Sequence, residues 1–156
     1  MSLLEPSFPL TIYYDASCPL CRQEMHALRD FDRDDRLRLV DCSLPDFRDE
    51  VAERAGVTRE QMMRLIRARD AEGRWFVGVD VFVIAYRAAG LDAVARLWEN
   101  HWLRPAWNRL YPWVARNRMW LSRVGFTRPF NRWVRWAAAR EQRRSQACHD
   151  GQCMLD

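Results

Sequence analysis

Alternation between strand-like and helix-like segments in the first half of the chain constrains its fold more than any other feature. Residues 10–14, Leu-Thr-Ile-Tyr-Tyr, are β-branched and aromatic, which predicts a strand buried on both faces. A helix is predicted directly after it, because Cys21, Met25 and Leu28 recur at intervals of four and three residues. Residues 37–42 alternate between apolar and polar and predict a second strand.

The alternation continues to residue 90. Turn-forming residues separate four further segments: a short helix over 45–55 with another helical turn from Thr58, strands over 63–69 and 74–77, and an apolar helix over 79–89. The two strands flank residues 70–73, which suit a hairpin. The order βαβαββα, with crossover connections in its first part, predicts an α/β domain with a mixed sheet over residues 8–92.

Composition narrows the class of protein. The chain has 156 residues, of which 49% are hydrophobic and 5 are Cys, so a disordered, collagenous or disulfide-scaffold protein is excluded. No stretch approaches the ~18 apolar residues of a membrane span. The first residues lack the basic and apolar regions of a secretory signal, so we expect a cytoplasmic protein. In that compartment, cysteine pairs are usually catalytic or metal-binding.

Charge is distributed unevenly along the chain. All 25 basic residues are Arg; residues 1–90 carry a net charge of −3 and residues 91–156 a net charge of +7.

Residues 93–144 are predicted to form a helical extension that packs on the core, with Trp in the interface and Arg facing water. Two other interpretations stay open: contact with an anionic membrane surface, and nonspecific binding of nucleic acid. No motif predicts a specific nucleic-acid partner. The apolar positions at helical spacing are Trp107, Leu110, Val114 and Leu121, with Trp113 and Trp120 beside them and Phe130, Trp133, Val134 and Ala137 further on.

The motif Cys18-Pro-Leu-Cys21 lies where the first predicted strand meets the first predicted helix. Unpaired backbone N–H groups and the positive end of the helix dipole stabilise a thiolate at such a point. Cys18, at the exposed helix start, is therefore predicted to attack a disulfide, and Cys21, one turn further, to resolve the mixed disulfide. Pro19 and Leu20, between them, are predicted to contact the substrate. Half of a zinc site and a pair of small core residues are the other interpretations of this motif.

Asp15 stands three residues before Cys18, at the end of the first predicted strand. A carboxylate there is placed to accept or relay the proton that Cys21 must lose. The alternative is an Asx-turn or a helix cap that holds the loop. Both roles are compatible with one residue, and the sequence leaves both open.

The segment from Tyr14 to Cys21, Tyr-Asp-Ala-Ser-Cys-Pro-Leu-Cys, resembles the DCC family of predicted thiol-disulfide oxidoreductases. That family is named for an Asp followed by two Cys, and its members are mostly bacterial. The resemblance implies a thioredoxin-like fold, with Asp15, Cys18 and Cys21 as the catalytic residues. It implies disulfide substrates and a thioredoxin- or glutathione-type reductant, without an organic cofactor. The resemblance also covers other segments of about residues 10–120, namely 40–43, 69–73, 78–82 and 115–118.

The chain departs from the expected pattern at two points. Ala16 takes the place of the family's usual Gly after the Asp, so we expect no positive φ there. No Pro precedes the third predicted strand, so the cis-Pro that most thioredoxin-like proteins set opposite the two cysteines has no counterpart. Gly78, Val79 and Asp80 form the loop that we predict to contact the substrate in its stead.

The remaining cysteines have weaker signals. Cys148 and Cys153, in a segment over 145–156 that is expected to be mobile, have four residues between them. They form a candidate second redox pair, a soft-metal site together with His149, or an unstructured end with incidental thiols. Cys42 is predicted to be a small buried residue.

The sequence as a whole favours an enzyme for thiol-disulfide exchange. A metal-binding or metal-delivery protein and a membrane-surface adaptor are the alternatives.

Overall fold

A four-stranded mixed sheet forms the centre of the protein. The structure, a computed structural model, describes residues 5–123 together with residues 132, 136, 139 and 140. The strands are β1 (Leu10–Tyr14), β2 (Leu37–Asp41), β3 (Arg67–Arg69) and β4 (Trp75–Val77), in the order β2-β1-β3-β4. β1 pairs with β2 in parallel, and the other two pairings are antiparallel. The predicted mixed α/β core is confirmed.

Six helices surround this sheet within the described residues. They are α1 (Pro19–Phe31), α2 (Glu50–Arg54), α3 (Arg59–Arg64), α4 (Val79–Ala88), α5 (Asp92–Glu99) and α6 (Arg104–Arg123). The segment between β2 and β3 contains two helices: α3 confirms the helical turn predicted from Thr58, which the predicted order βαβαββα does not count as a separate helix. The reason is local: Asp49 caps α2, while Thr58 and Gln61 form a capping box that starts α3. Because α3 extends to Arg64, the third strand is shorter than predicted.

Alternate residues of β1 enter two separate cores. Leu10 and Ile12 are fully buried on one face of the sheet, in a cluster with residues of α1, α4 and α5. Tyr13 is fully buried on the other face with Cys42 and Met62, beneath α2 and α3. This arrangement confirms that the strand is buried on both faces. It also places the C-terminal end of β1, and therefore Asp15, at the start of α1.

The long helix α6 packs on the core, but its outer face differs from the prediction. Trp107 lies against Trp98, with ring centroids 4.9 Å apart, so this Trp does fill the interface. The same expectation is wrong for Trp113 and Trp120, which are 53% and 60% exposed. They lie seven residues apart on one face of the helix, turned away from Arg118, which faces inward. The predicted apolar positions at Phe130, Trp133, Val134 and Ala137 lie outside the described residues. None of the described helices combines the length and apolar character needed to cross a bilayer.

Candidate active site

Cys18 and Cys21 lie at the start of α1, as the sequence predicts. Cys18 is the N-cap residue, in an extended conformation, and Pro19 follows it within the first turn. The backbone N–H of Cys21 donates to Cys18 Sγ at 3.5 Å. Pro suits the first helical position because its missing N–H would have no partner there. The chain therefore turns from β1 into α1 with both sulfurs at the helix N-terminus.

The pKa values of the two cysteines are shifted in opposite directions, so Cys21 holds its proton more strongly than Cys18. The Cys21 thiol donates a hydrogen bond to Cys18 Sγ, and this bond, helped by the Cys21 backbone N–H and the Arg118 guanidinium, lowers the pKa of Cys18 to about 6, although burial opposes the shift. The same hydrogen bond raises the pKa of Cys21 strongly, and burial and the neighbouring charge on Cys18 add to that effect. Near neutral pH, the pair therefore holds one thiolate, on Cys18, and one thiol, on Cys21.

The accessibility of the two cysteines is the reverse of the prediction. Cys18, expected at an exposed helix start, is 0% exposed, whereas Cys21 is partly accessible. The physical reason is that an N-cap side chain must fold back over the first turn to accept a backbone N–H. Cys18 therefore has the low pKa, and Cys21 has the access to solvent.

Asp15 holds the loop before the motif and also binds a cation. Its Oδ1 accepts from the backbone N–H of Ser17 at 3.0 Å and from Ser17 Oγ at 2.5 Å. Its Oδ2 accepts from Arg118 at 2.6 Å. The predicted Asx-turn is therefore present. The other predicted role, transfer of the Cys21 proton, stays a prediction.

Arg118 is the first of two residues of the site that the sequence did not single out. It reaches Asp15 from α6, 103 residues further along the chain, and only 16% of its side chain is exposed. Its charge acts on both cysteines. The signal available in the sequence was the segment 115–118, which belongs to the family resemblance, but nothing in the sequence joins it to Asp15.

A cavity of about 260 Å³ opens beside Cys21. Its walls are largely apolar, and six of the residues that line it are aromatic. Among these, Phe82 and Trp98 stack with ring centroids 5.2 Å apart, and Tyr111 meets Phe82 edge-on at 5.3 Å. The residues with charged side chains that line it are Asp15, Glu24 and Arg118. A largely apolar cavity with few polar groups is the usual form of a small-molecule site.

Glu24, one turn after Cys21, is a second residue that the sequence did not single out. Tyr86 Oη donates a hydrogen bond to the Glu24 carboxylate. Burial raises the pKa of both groups. Glu24 therefore brings a half-buried carboxyl group to the wall of the cavity that Cys21 also lines.

Only one of the residues that the sequence predicts to contact the substrate lines the cavity. Leu20 lines the cavity, whereas Pro19 and the loop of Gly78, Val79 and Asp80 do not. Val79 is buried, Asp80 forms an ion pair with Arg104, and Gly78 lies 3.7 Å from the Tyr111 ring, measured from where a Cβ would stand.

Ile66 occupies the position before β3, where the sequence shows that a Pro is missing. Its side chain lines the cavity. Its backbone N–H donates to Tyr111 Oη at 3.3 Å, and its carbonyl accepts from the Gly78 N–H at 2.9 Å. The backbone before β3 is thus bonded to α6 and to the loop at 78–80.

The other cysteines fall outside this site. Cys42 is fully buried, as predicted, and its thiol donates to the Tyr14 carbonyl at 3.1 Å. Burial raises the pKa of Cys42 to about 11. Cys148, His149 and Cys153 lie outside the described residues. Among the residues that are described, no group of three or more His, Cys, Asp or Glu side chains is arranged to hold a metal ion.

The mixed α/β core, with two cysteines at a helix N-terminus, is that of a thioredoxin-like protein. The chain matches the family described as DCC1-like thiol-disulfide oxidoreductase over residues 12–124. The protein belongs to this family, which confirms the resemblance and supports a thiol-disulfide oxidoreductase role in general terms. No curated protein and no solved structure matches the chain.

Proposed function

We propose that the protein is an enzyme that exchanges a dithiol for a disulfide at Cys18 and Cys21, with protein or small-molecule disulfides as substrates. The observation that carries this proposal is the hydrogen-bonded pair of sulfurs at the N-terminus of α1, where the pKa of Cys18 falls to about 6. A thiolate at neutral pH is the nucleophile that the reaction requires.

The reaction proceeds in two displacements. The Cys18 thiolate attacks one sulfur of the substrate, whose S–S bond breaks and whose other sulfur leaves as a thiolate that takes up a proton. Cys21 then loses its proton and attacks Cys18 Sγ in the mixed disulfide, which releases the first substrate sulfur. Two electrons pass to the substrate, and the protein keeps a Cys18–Cys21 disulfide.

The cavity is the route by which the substrate approaches. Cys18 itself is buried, but Cys21 lines the cavity and is hydrogen-bonded to Cys18 Sγ. A substrate sulfur in the cavity therefore lies next to the pair. Asp15 anchors the loop and holds Arg118 near both sulfurs, where the positive charge favours the thiolate. The Asp15 oxygens already accept three hydrogen bonds, which favours this anchoring role over proton transfer.

Trapping the mixed disulfide tests the order of attack. In Cys21→Ser the resolving thiol is missing, so a mixed disulfide should accumulate on Cys18, and peptide mass mapping should locate it. Cys18→Ser should lose exchange activity altogether, whereas Cys42→Ser, which alters a buried thiol outside the site, should keep it. A stable mixed disulfide on Cys21 in the Cys18→Ser protein would reverse the assignment.

We place the reaction in the cytoplasm, with a thioredoxin- or glutathione-type thiol as the reductant that restores the dithiol. A redox titration in glutathione buffers, with alkylation of every thiol, tests this placement. A reversible Cys18–Cys21 couple near the cytosolic poise is expected. A couple far more oxidising than that poise would contradict a reducing role.

A second candidate function rests on the outer face of α6. Trp113 and Trp120 are exposed there, among the exposed side chains of Arg109, Arg116 and Arg123. Exposed Trp and Arg on one helix face favour contact with an anionic membrane surface. Binding to vesicles that contain phosphatidylglycerol at low salt is expected, and it should weaken in Trp113→Ala/Trp120→Ala. Equal binding to neutral phosphatidylcholine vesicles would argue against this contact.

A further inference from the structure

A second cavity, of about 620 Å³, adjoins the first along α6, and its walls are basic. Four arginines line it, and no acidic residue does: they are Arg64, Arg67, Arg116 and Arg118. Ala115 and Arg118 line both cavities, so the two share a boundary on α6. The apolar space beside Cys21 and the space lined by guanidinium groups therefore lie next to each other along α6.

Only one of the four arginines of the second cavity is paired with a carboxylate of the described residues. Arg118 is paired with Asp15. Within the part of the chain that the structure describes, Arg64, Arg67 and Arg116 form no ion pair. The Nε of Arg67 is buried without a hydrogen-bond partner, and burial lowers the pKa of that guanidinium. A guanidinium group that has no carboxylate partner is free to pair with an anion, so an anion in this cavity would meet charges that the protein leaves unpaired.

We propose that the two cavities together bind a small disulfide that has an apolar body and one anionic group. This inference rests on the proposed function and names its substrate class. The apolar body lies in the aromatic cavity, with the ligand's S–S bond beside Cys21, and the carboxylate or phosphate lies among Arg64, Arg67 and Arg116. Guanidinium groups bind both kinds of anion through paired hydrogen bonds.

The chemistry follows the two displacements above. The Cys18 thiolate forms a bond to one ligand sulfur as the ligand's S–S bond breaks, and Cys21 then releases that sulfur by forming the Cys18–Cys21 disulfide. The ligand gains two electrons and two protons, of which Cys21 releases one and solvent supplies the other, and becomes a dithiol or a pair of thiols. An added thiol such as dithiothreitol supplies the electrons that return the protein to its dithiol form.

Lipoate and lipoamide form a matched pair of probes for this inference. Both carry the same cyclic disulfide and apolar chain, but only lipoate is charged. We expect kcat/KM for lipoate to exceed that for lipoamide by about tenfold, because the contacts to Arg64 and Arg116, which are exposed, and to Arg67, which is half-buried, each contribute a modest free energy. Glutathione disulfide, which is anionic but polar, should be a poorer substrate than lipoate.

Substitutions on the surface test which arginines cause the preference. Arg64 and Arg116 are exposed, so Arg64→Gln/Arg116→Gln should fold normally and should reduce the ratio of lipoate to lipoamide kcat/KM to about 1–3. Arg109→Gln removes an exposed charge on the same helix, outside both cavities, and should leave the ratio at its original value. Equal kcat/KM for both probes in the unmodified protein would overturn the inference while leaving the proposed function intact.

A binding measurement tests the proposed ligand site without requiring that the ligand be reduced. In Cys18→Ser, quenching of the tryptophans in the cavity wall by lipoate and by lipoamide gives two dissociation constants. Tighter binding of lipoate, lost in Arg64→Gln/Arg116→Gln, supports the site even if neither probe is reduced, in which case the proposed function alone fails. Equal or undetectable binding of both probes would contradict the inference.

Discussion

The sheet region and the long helix α6 contribute to the candidate site in different ways. β1 and α1 place Asp15, Cys18 and Cys21 within one short stretch of chain, so local sequence determines where these groups lie. α6 provides Arg118, which reaches Asp15 only because this helix packs on α1. The positions of the reacting sulfurs are therefore determined by local sequence, whereas the charge that acts on them depends on tertiary packing.

The largest expected effect is on the free energy of unfolding, and its size should differ between a truncation in the sheet and one on α6. Ile12→Ala removes a fully buried side chain of β1 and should lower the free energy of unfolding by about 4 kcal/mol, since it leaves a cavity in the core. Leu110→Ala, on α6, truncates a side chain that is 45% exposed and should cost about 1 kcal/mol. Urea unfolding measures both. Equal costs would show that α6 is packed as tightly as the sheet.

Arg118→Gln should have the next largest effect on the free energy of unfolding. It tests the ion pair between Arg118 on α6 and Asp15, which joins the two regions. Removing this guanidinium leaves the Asp15 carboxylate buried without its cation, which should cost about 3 kcal/mol of unfolding free energy. The pKa of Cys18 should rise as well, because one of the charges that lowers it is gone. Arg116→Gln, two residues away and exposed, should change stability by less than about 0.5 kcal/mol.

Asp15→Asn provides the matching half of a double-mutant cycle for that pair. If Asp15 and Arg118 interact as the structure indicates, the loss in the double variant should be clearly smaller than the sum of the two single losses. Additive losses would mean that the two residues do not stabilise each other, and the role of α6 in the site would have to be revised.

The sequence predicted the sheet region well because its signals are local. The apolar run before Asp15, the Pro after Cys18 and the capping residue Thr58 each act within a few positions, and each starts or ends an element where expected. The division of the segment between β2 and β3 into two helices follows from caps of the same kind. The inward turn of Cys18 was missed, because it depends on a side-chain hydrogen bond in the cap and not on hydrophobic spacing.

The helix α6 was harder to predict because amphipathic spacing does not say which face is buried when Trp occurs on several faces. Trp113 and Trp120 share a face, and the sequence suggested that it would be buried. The packing instead turns Tyr111 and Arg118 inward, toward Ile66 and Asp15. Those partners are distant in sequence, so only the tertiary structure reveals them.

The free energy of unfolding should also depend on pH. The pKa of Cys18 is lowered from 9.0 to about 6 in the folded protein, so between those pH values the unfolded chain binds more protons than the folded one. The stability of the reduced protein should therefore rise with pH across this interval, and this contribution should be lost as the pH falls through about 6. Comparing urea unfolding of the protein and of Cys18→Ser over that range isolates the effect. Equal pH slopes for the two would contradict the lowered pKa.

The smallest expected effect concerns the outer face of α6. Trp113→Ala/Trp120→Ala removes two exposed rings and should change the unfolding free energy by no more than about 1 kcal/mol. The same variant is the one expected to lose vesicle binding, so the two measurements together separate a surface role from a packing role. A loss of several kcal/mol would mean that these rings are part of the core.

The most direct test of the account is the pH dependence of alkylation of the reduced protein, with each modified cysteine identified by mass mapping. A small reagent such as iodoacetamide reacts with the thiolate, so its rate follows the ionisation of the cysteine that it modifies. Cys18 should be modified with an apparent pKa near 6, and this value should rise in Arg118→Gln. Modification of Cys21 first, or a Cys18 pKa near 9, would contradict the proposed roles of the two sulfurs.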